Sequence, residues 1–135
     1  MSDIVSISLL EKFSNLNGSL TSVESFKETP FDIKRLFYIY DVDVGSKRGQ
    51  HAHRESRQFL ICLSGAVKIR CNDGSVDKYW TLNRPDIGVY IPNMIWSDQV
   101  YLKINTILLV LTDTEYNETD YIRDYNEFKT IKNNL

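Results

Sequence analysis

Two histidines, His51 and His53, stand one residue apart in the segment KRGQHAHRESRQ (47–58), and they are the only histidines in the sequence. Residues two apart on a β-strand point to the same face, so both imidazoles are expected on one side of a sheet. An imidazole can bind a metal, move a proton or pack as a satisfied polar group. The spacing marks a candidate site and leaves its chemistry open among these three.

Positive charge is concentrated around this pair. Between positions 34 and 57, the acidic residues Asp41, Asp43 and Glu55 face a larger basic set of Lys34, Arg35, Lys47, Arg48, Arg54 and Arg57. The cluster predicts a local anion site, and the alternative is a set of ordinary solvated strand charges. The whole chain has a formal net charge of −2, which argues against a nucleic-acid binder with a broad basic face.

The size of the chain bounds the fold. With 135 residues and 42% hydrophobic content, it suits one domain spanning 1–135. The longest apolar run, NTILLVL (105–111), is far shorter than the roughly 20 residues of a membrane-spanning helix, and the N-terminus lacks a basic leader. We expect a cytoplasmic protein without a membrane partner. Cys62 and Cys71 are expected as buried free thiols.

The periodicity is typical of short β-strands separated by turns, and it favours an all-β sandwich or barrel. Strands are predicted within 31–42, 58–63, 66–71, 79–82, 87–92 and 103–111. Ser64-Gly65 predicts a hairpin between the second and third of these, with Gly65 at positive φ.

The two ends of the chain carry further signals. Thr119 or Asp120 is predicted to cap a short C-terminal helix with an apolar face of Tyr121, Ile122, Tyr125 and Phe128. At the other end, DIVSISLL (3–10) has strand character and no evident need within its own chain. Its exchange between subunits is therefore a hypothesis.

The spacing of the histidine segment resembles the first motif of the cupin superfamily: Gly45, five residues, His51-Ala52-His53, four residues, Gln58, six residues, Gly65. GVYIPNMIWS (88–97) resembles the second motif. Metal-binding cupins hold their ion with two histidines, a glutamate and a third histidine, and the matching positions are His51, His53, Gln58 and Ser97. An amide and a hydroxyl are poor replacements for the last two ligands. We therefore expect no metal and no cofactor, with histidines that move protons.

Four longer segments, FDIKRLFYIYDV, RGQHAHRESRQFLICLSGAVKI, DIGVYIPNMIW and YNETDYIRDYNEF, together resemble the sugar 3,4-ketoisomerase family. These enzymes act on dTDP-4-keto-6-deoxy-D-glucose in the biosynthesis of 3-amino-3,6-dideoxy sugars of bacterial surface polysaccharides. The resemblance covers nearly the whole chain. It implies a cupin, jelly-roll-like β-barrel with a short C-terminal helix, a homodimer, no metal and a deoxythymidine-diphosphate sugar as substrate.

That reaction needs an acid/base group. A base must remove the C3 proton and return it at C4, which suits histidine near neutral pH. We predict His53 as this base and His51 as a helper in the transfer between the two oxygens, with the reverse order open. Arg35 and Tyr38 are predicted to stabilise the enediolate oxygens, although regular alternation puts them on opposite faces of their strand.

Other residues are predicted to bind the substrate. Arg48 and Arg54 flank the histidines, and a guanidinium fork suits a diphosphate. Gln58 is placed in the same site by the cupin motif. In the family, the positions of Asn17 and Ser97 are associated with the configuration at C4. The histidine of galacto-type members is missing at position 97, so we favour the gluco product. A thymine-stacking aromatic, with core packing as the alternative, is sought among Tyr79, Trp80, Tyr90 and Trp96.

Two alternatives stay open: a non-catalytic cupin that binds nucleotide sugars, and a metal-dependent cupin enzyme. A related cupin sugar 3,5-epimerase would pair a histidine with an aspartate, but in a longer chain.

Overall fold

The structure of the protein is a computed structural model, which describes residues 4–135. Short strands make up most of its regular structure. They are Ser6–Leu9 (β1), Phe13–Asn15 (β2), Gly18–Leu20 (β3), Arg35–Ile39 (β4), Lys47–His53 (β5), Gln58–Ser64 (β6), Val67–Asn72 (β7), Asp77–Leu82 (β8), Ile87–Ile91 (β9), Trp96–Tyr101 (β10), Ile107–Thr112 (β11) and Tyr121–Ile122 (β12). A 3₁₀ helix, Glu118–Asp120, precedes β12, and one α-helix, Tyr125–Asn133 (α1), follows it.

The strands form two five-stranded antiparallel sheets and a small hairpin of β2 with β3. The first sheet has the order β1-β9-β6-β11-β4, and the second has the order β12-β5-β10-β7-β8. One core joins their facing sides, with Leu60 and Val89 from the first sheet packed with Ile69 and Tyr101 from the second. This two-sheet, jelly-roll-like arrangement confirms the predicted all-β cupin fold.

The predicted hairpin around Gly65 is wrong, because β6 and β7 lie in different sheets. β6 pairs with β9 and β11, whereas β7 pairs with β8 and β10. Gly65 has φ +79°, and a Cβ there would overlap Thr106. The positive φ was predicted correctly, but it turns the chain at a corner between the sheets.

The C-terminal helix begins later than predicted. Thr119 and Asp120 belong to the 3₁₀ helix, and the cap of α1 is Asp124, whose side chain accepts a hydrogen bond from the backbone N–H of Glu127. Because Tyr121 and Ile122 form a strand, they are not part of the helical face. Phe128 does face inward and packs with Trp96 over the outer side of the second sheet.

The N-terminal segment pairs within its own chain. β1 lies antiparallel to β9, with Ser6 opposite Tyr90, so the segment does have an intrachain partner. Part of the predicted segment, at residue 3, falls outside the described residues. Within 4–135, no helix has the length and apolar character needed to cross a membrane.

Candidate active site

A cleft of about 410 Å³ opens at one end of the space between the two sheets. Polar side chains from both sheets and from the C-terminal segment line it. They are Arg35, Tyr38, Arg48, His51, Gln58, Gln99, Tyr121 and Arg123, with Phe37, Ile39, Gly49 and Val110 between them. The cleft therefore collects the histidine segment, part of the predicted cationic cluster and residues far away in the sequence.

A β-bulge in β5 determines which side chains reach the cleft. Opposite β10, His51 pairs with Ser97 and Gly49 pairs with Asp98, so Gln50 is an extra residue in the ladder. Residues 48 and 51 would point to opposite faces of a regular strand, but one extra residue restores them to the same face.

Glycine is required in this bulge. Gly49 has φ +86°, and a Cβ there would lie 3.1 Å from both the Cα of Asp98 and the carbonyl oxygen of Ser97. The positive φ favours glycine, and the close approach of β10 leaves little space for a side chain. The bulge can thus place Arg48 beside His51 in the cleft.

His51 lines the cleft, and the surrounding protein keeps its imidazole uncharged. Burial lowers its pKa to about 4, and the nearby His53 and Arg123 act in the same direction. Its Nδ1 is buried and has no hydrogen-bond partner within residues 4–135. An unpaired buried polar atom costs about 1–3 kcal/mol, a cost that binding sites often carry. A neutral histidine in this position can accept a proton.

His53 lies behind His51, with 8% of its surface exposed. The two rings are edge to face, with their centroids 4.9 Å apart. His53 Nδ1 is 2.8 Å from Oδ2 of Asp120, and its Nε2 is 3.3 Å from Nε2 of Gln58. Burial lowers the pKa of His53, although the hydrogen bond and charge of Asp120 oppose this shift. The imidazole is thus held between a carboxylate and an amide that reaches the cleft.

The segment around β12 supplies site residues that the sequence analysis did not assign. β12 pairs with β5, with Tyr121 opposite His53. This pairing places the Tyr121 ring 5.1 Å from the His51 ring and brings Arg123 into the cleft. The sequence does contain a signal for the later helix start. Asp124 is followed three residues later by Glu127, and this capping pattern starts a helix after β12.

Three arginines give the cleft its positive charge. Arg35 extends from β4, Arg48 from β5 and Arg123 from the residue after β12. The Arg123 guanidinium stacks 4.3 Å above the Tyr121 ring, and its Nε and Nη2 donate to Glu118 at 2.9 and 3.1 Å. That pairing, with the Tyr116 hydroxyl, lowers the pKa of Glu118 to about 2. The cleft can attract an anion at neutral pH.

Arg54 is not brought into this cleft. Its Nη1 donates to the backbone carbonyls of Thr119 and Tyr121, and its Nη2 lies 3.3 Å from Glu127. These contacts hold the C-terminal segment against the end of β5. Because its guanidinium is engaged there, we no longer assign Arg54 to substrate binding.

The other predicted residues occupy different positions. Gln58 lines the cleft, whereas Ser97 is buried beside His51 in the ladder and does not line it. Asn17 follows the exposed strand β2 and does not line it either. Tyr38 contributes to the rim with 58% of its surface exposed, on the opposite face of β4 from Arg35, as strand alternation predicts.

The four aromatic candidates for thymine stacking do not line the cleft. Trp80, Tyr90 and Trp96 pack in hydrophobic clusters, and Tyr79 is exposed beneath Lys68. Tyr121 is an aromatic ring that does line it. Trp80, Tyr90 and Trp96 therefore have a packing role, which was the alternative to thymine stacking.

The described residues offer no evident metal centre: no group of three or more histidine, cysteine, aspartate or glutamate side chains among 4–135 is arranged to hold an ion. Gln58 and Ser97 stand where the metal-binding cupin pattern has ligands, and here Gln58 contacts His53.

Comparison with known proteins places this arrangement in a family. A family model described as FdtA, WxcM-like, C-terminal, matches residues 3–133. The chain belongs to the FdtA family. A curated relative, the TDP-4-oxo-6-deoxy-alpha-D-glucose-3,4-oxoisomerase of Aneurinibacillus thermoaerophilus, is 37% identical over 119 residues, which cover 88% of this chain and 86% of the relative.

Solved structures of 3,4-ketoisomerases have the same fold. A 3,4-ketoisomerase from Helicobacter canadensis is 43% identical, with a TM-score of 0.93 over 96% of this chain and 97% of the other. A histidine-to-asparagine variant of the 3,4-ketoisomerase QdtA from Thermoanaerobacterium thermosaccharolyticum, in complex with TDP-4-keto-6-deoxyglucose, is 36% identical, with a TM-score of 0.94 over 99% and 97% of the two chains. These relatives confirm the resemblance to sugar 3,4-ketoisomerases.

Proposed function

We propose that the protein is a sugar-nucleotide 3,4-ketoisomerase that moves the keto group of dTDP-4-keto-6-deoxy-D-glucose from C4 to C3. One observation carries the proposal: an uncharged histidine, His51, lines a cleft that also holds three arginines. The 37% identity to a curated 3,4-oxoisomerase supports the reaction, and the complex of the QdtA variant supports the choice of nucleotide sugar.

His51 is the base in this proposal. It lines the cleft, whereas His53 lies behind it, so the reverse of our first assignment fits the geometry better. The C3–H bond breaks as His51 accepts the proton, and an enediolate forms across C3 and C4. A gluco product receives its C4 proton on the ring face opposite to the one from which His51 removed the C3 proton, so water supplies the C4 proton and His51 releases its proton to solvent. The O3 hydroxyl proton passes to O4, so the reaction has no net redox change.

The arginines have two tasks in this scheme. Arg48 binds the diphosphate, for which the guanidinium fork is suited. Arg123 is not assigned to the diphosphate, because its guanidinium is engaged by Glu118. Arg35 lies on the inner face of β4 and stabilises the negative charge that develops on the enediolate oxygens. Gln58 contacts the sugar. The predicted role of Tyr38 at the enediolate oxygens does not fit its position, because Tyr38 is exposed on the face of β4 opposite to Arg35. The scheme routes no step through a metal or cofactor.

We assign the gluco configuration to the product. Ser97 is 4% exposed and pairs with His51 in the ladder, so position 97 places a small side chain beside His51 in place of an imidazole. Asn17 is assigned to this selectivity on the family resemblance alone. The 3-keto product would enter synthesis of a 3-amino-3,6-dideoxy sugar for surface polysaccharides.

The outer face of the first sheet supports a homodimer. Leu36 and Leu63 are 53% and 45% exposed, and they line an apolar groove of about 380 Å³ with Ile61 and Leu109. Exposed apolar patches of this kind mark association sites in stable oligomers. A monomeric mass in light scattering at micromolar protein would contradict this part of the proposal.

The two buried cysteines, which form no disulfide, suit the reducing cytoplasm, where we place the enzyme.

A proton NMR time course tests the function directly. The purified protein is incubated with dTDP-4-keto-6-deoxy-D-glucose, and the sugar signals report both the position of the ketone and the configuration at C4. A 3-keto-6-deoxyglucose product is expected. Nucleotide-sugar binding without any product would leave a non-catalytic binder, and activity that depends on an added metal would indicate a metal-dependent cupin enzyme.

A further inference from the structure

A chain of three side chains leads from a partly buried carboxylate to the cleft. It begins at Asp120, passes through His53 and ends at Gln58, which lines the cleft. Asp120 lies at the far end of this chain from the cleft, and neither it nor His53 lines the cleft itself. Its role in the reaction is therefore a separate question from that of the histidines.

The hydrogen-bond directions in this chain follow from Asp120. Burial opposes ionisation of this carboxyl, but hydrogen bonds from Ser56, Glu55 and His53 hold its pKa below the ordinary value. An ionised carboxylate can only accept hydrogen bonds, so Nδ1 of His53 must donate to it. Because the imidazole is neutral, its Nε2 is then an unprotonated acceptor.

Gln58 must donate a hydrogen bond to that acceptor. Its side-chain nitrogen, 3.3 Å from His53 Nε2, donates the hydrogen bond, which leaves the amide oxygen free of His53. A glutamine in the opposite orientation would place two acceptors against each other. One carboxylate thus determines the tautomer of His53 and the orientation of an amide that lines the cleft.

We propose that Asp120 is a positioning residue that holds His53 in the Nδ1–H tautomer and thereby orients Gln58 toward the sugar. The catalytic part of this inference rests on the proposed isomerase function. Asp120 also has a purely structural task, because its Oδ1 accepts the backbone N–H of Glu55 at 2.7 Å. The experiment must separate these two roles.

The test compares Asp120→Asn with the matched control Asp113→Asn. Asp113 also accepts a backbone N–H, that of Arg57 at 2.8 Å, but it pairs with the Arg57 side chain and not with a histidine. In Asp120→Asn, an asparagine oxygen that still accepts from Glu55 would present its amide N–H groups to His53. His53 must then accept at Nδ1 and carry its proton on Nε2.

Nitrogen-15 NMR of the imidazoles reads the tautomer without substrate, and the chain has only two histidines to assign. We expect Nδ1–H for His53 in the wild type and in Asp113→Asn, and Nε2–H in Asp120→Asn. The kcat of Asp120→Asn is expected to fall at least tenfold with unchanged dTDP affinity, whereas Asp113→Asn stays within about twofold of the wild type.

The inference is overturned if His53 keeps Nδ1–H in Asp120→Asn, or if its tautomer changes and kcat does not. It is also overturned if Asp113→Asn loses as much kcat as Asp120→Asn, since a general effect of loosening the loop would then explain both. An inactive wild type would refute the proposed function instead. The NMR measurement would still test whether Asp120 holds His53 in the Nδ1–H tautomer.

Discussion

The space between the two sheets is open at one end and closely packed at the other, although the same strands build both. β6 supplies Gln58 to the cleft and then Leu60 and Cys62 to the core, on the same inner face. β5 and β4 likewise carry His51 and Arg35 to the open end. The position of a residue along its strand therefore decides whether it lies near the cleft or in the core. The alternation of the strand decides whether its side chain points into the space between the sheets.

The two ends contribute differently to stability. At the packed end, Leu60, Val67 and Leu108 are 0% exposed, and their burial stabilises the sandwich. At the open end, His51 keeps a buried Nδ1 unpaired and Gly49-Gln50 adopts positive φ in the bulge. The comparison predicts that changes at the open end alter chemistry, and that changes at the packed end alter stability.

The largest effect is expected from His51→Gln. Loss of the base should lower kcat by about 10³-fold, within the range typical of general acid–base groups. Glutamine is polar and of similar length, and the buried unpaired imidazole is removed, so the free energy of unfolding should not decrease. Steady-state kinetics with urea unfolding measures both quantities, and a variant with lowered stability and unchanged kcat would reverse the comparison.

The opposite pattern is expected from Leu60→Ala. Removing a fully buried leucine side chain from the packed end should lower the free energy of unfolding by about 2–5 kcal/mol. The kcat of the folded fraction should stay within about twofold of the wild type. Denaturant unfolding and activity at a temperature where the variant is folded check the two statements. A large loss of kcat in a folded variant would show that the two ends are not independent.

Acid should weaken the protein through His51. Its pKa is about 4 in the folded protein and 6.5 as the reference value, so between these values the unfolded state binds a proton that the folded state does not. Stability therefore rises with pH across this window and falls as the pH is lowered through it. Between about pH 7 and about pH 4.5, the wild type should lose roughly 2 kcal/mol more than His51→Gln. Equal losses in urea titrations of the two proteins would contradict the buried, neutral state of His51.

The smallest of these effects is expected from Arg48→Ala, which removes one of three cleft arginines. We expect KM to rise about tenfold with kcat nearly unchanged, because a diphosphate contact is present in both the ground state and the transition state. Lys47→Ala is the matched control, since Lys47 precedes Arg48 on the same strand, is exposed and does not line the cleft. A KM that rises equally in both variants would indicate general steering of the anion by surface charge.

Much of the open end could be predicted from the sequence, because its signals are local. The spacing of His51 and His53, the basic residues beside them and the cupin-like motifs all lie within short segments. The strand alternation also predicted that Arg35 and Tyr38 face opposite ways. What could not be predicted depends on contacts between distant segments.

Two errors show this limit. The turn at Gly65 has the same local chemistry whether the flanking strands pair with each other or separate into two sheets, and the pairings with β9, β10 and β11 decide between them. The segment around Tyr121 resembles a helix start, but its pairing with β5 makes it a strand. Asp120, Tyr121 and Arg123 were missed as site residues for this reason.

The most direct test of the account is the exchange of the C3 proton of dTDP-4-keto-6-deoxy-D-glucose in D2O, followed by proton NMR with wild type and His51→Gln at equal enzyme concentration. We expect the wild type to remove the C3 proton during turnover, and we expect His51→Gln, which still binds dTDP, to leave the C3 signal unchanged over the same period. Loss of the C3 signal at the wild-type rate in His51→Gln would contradict the assignment of the base.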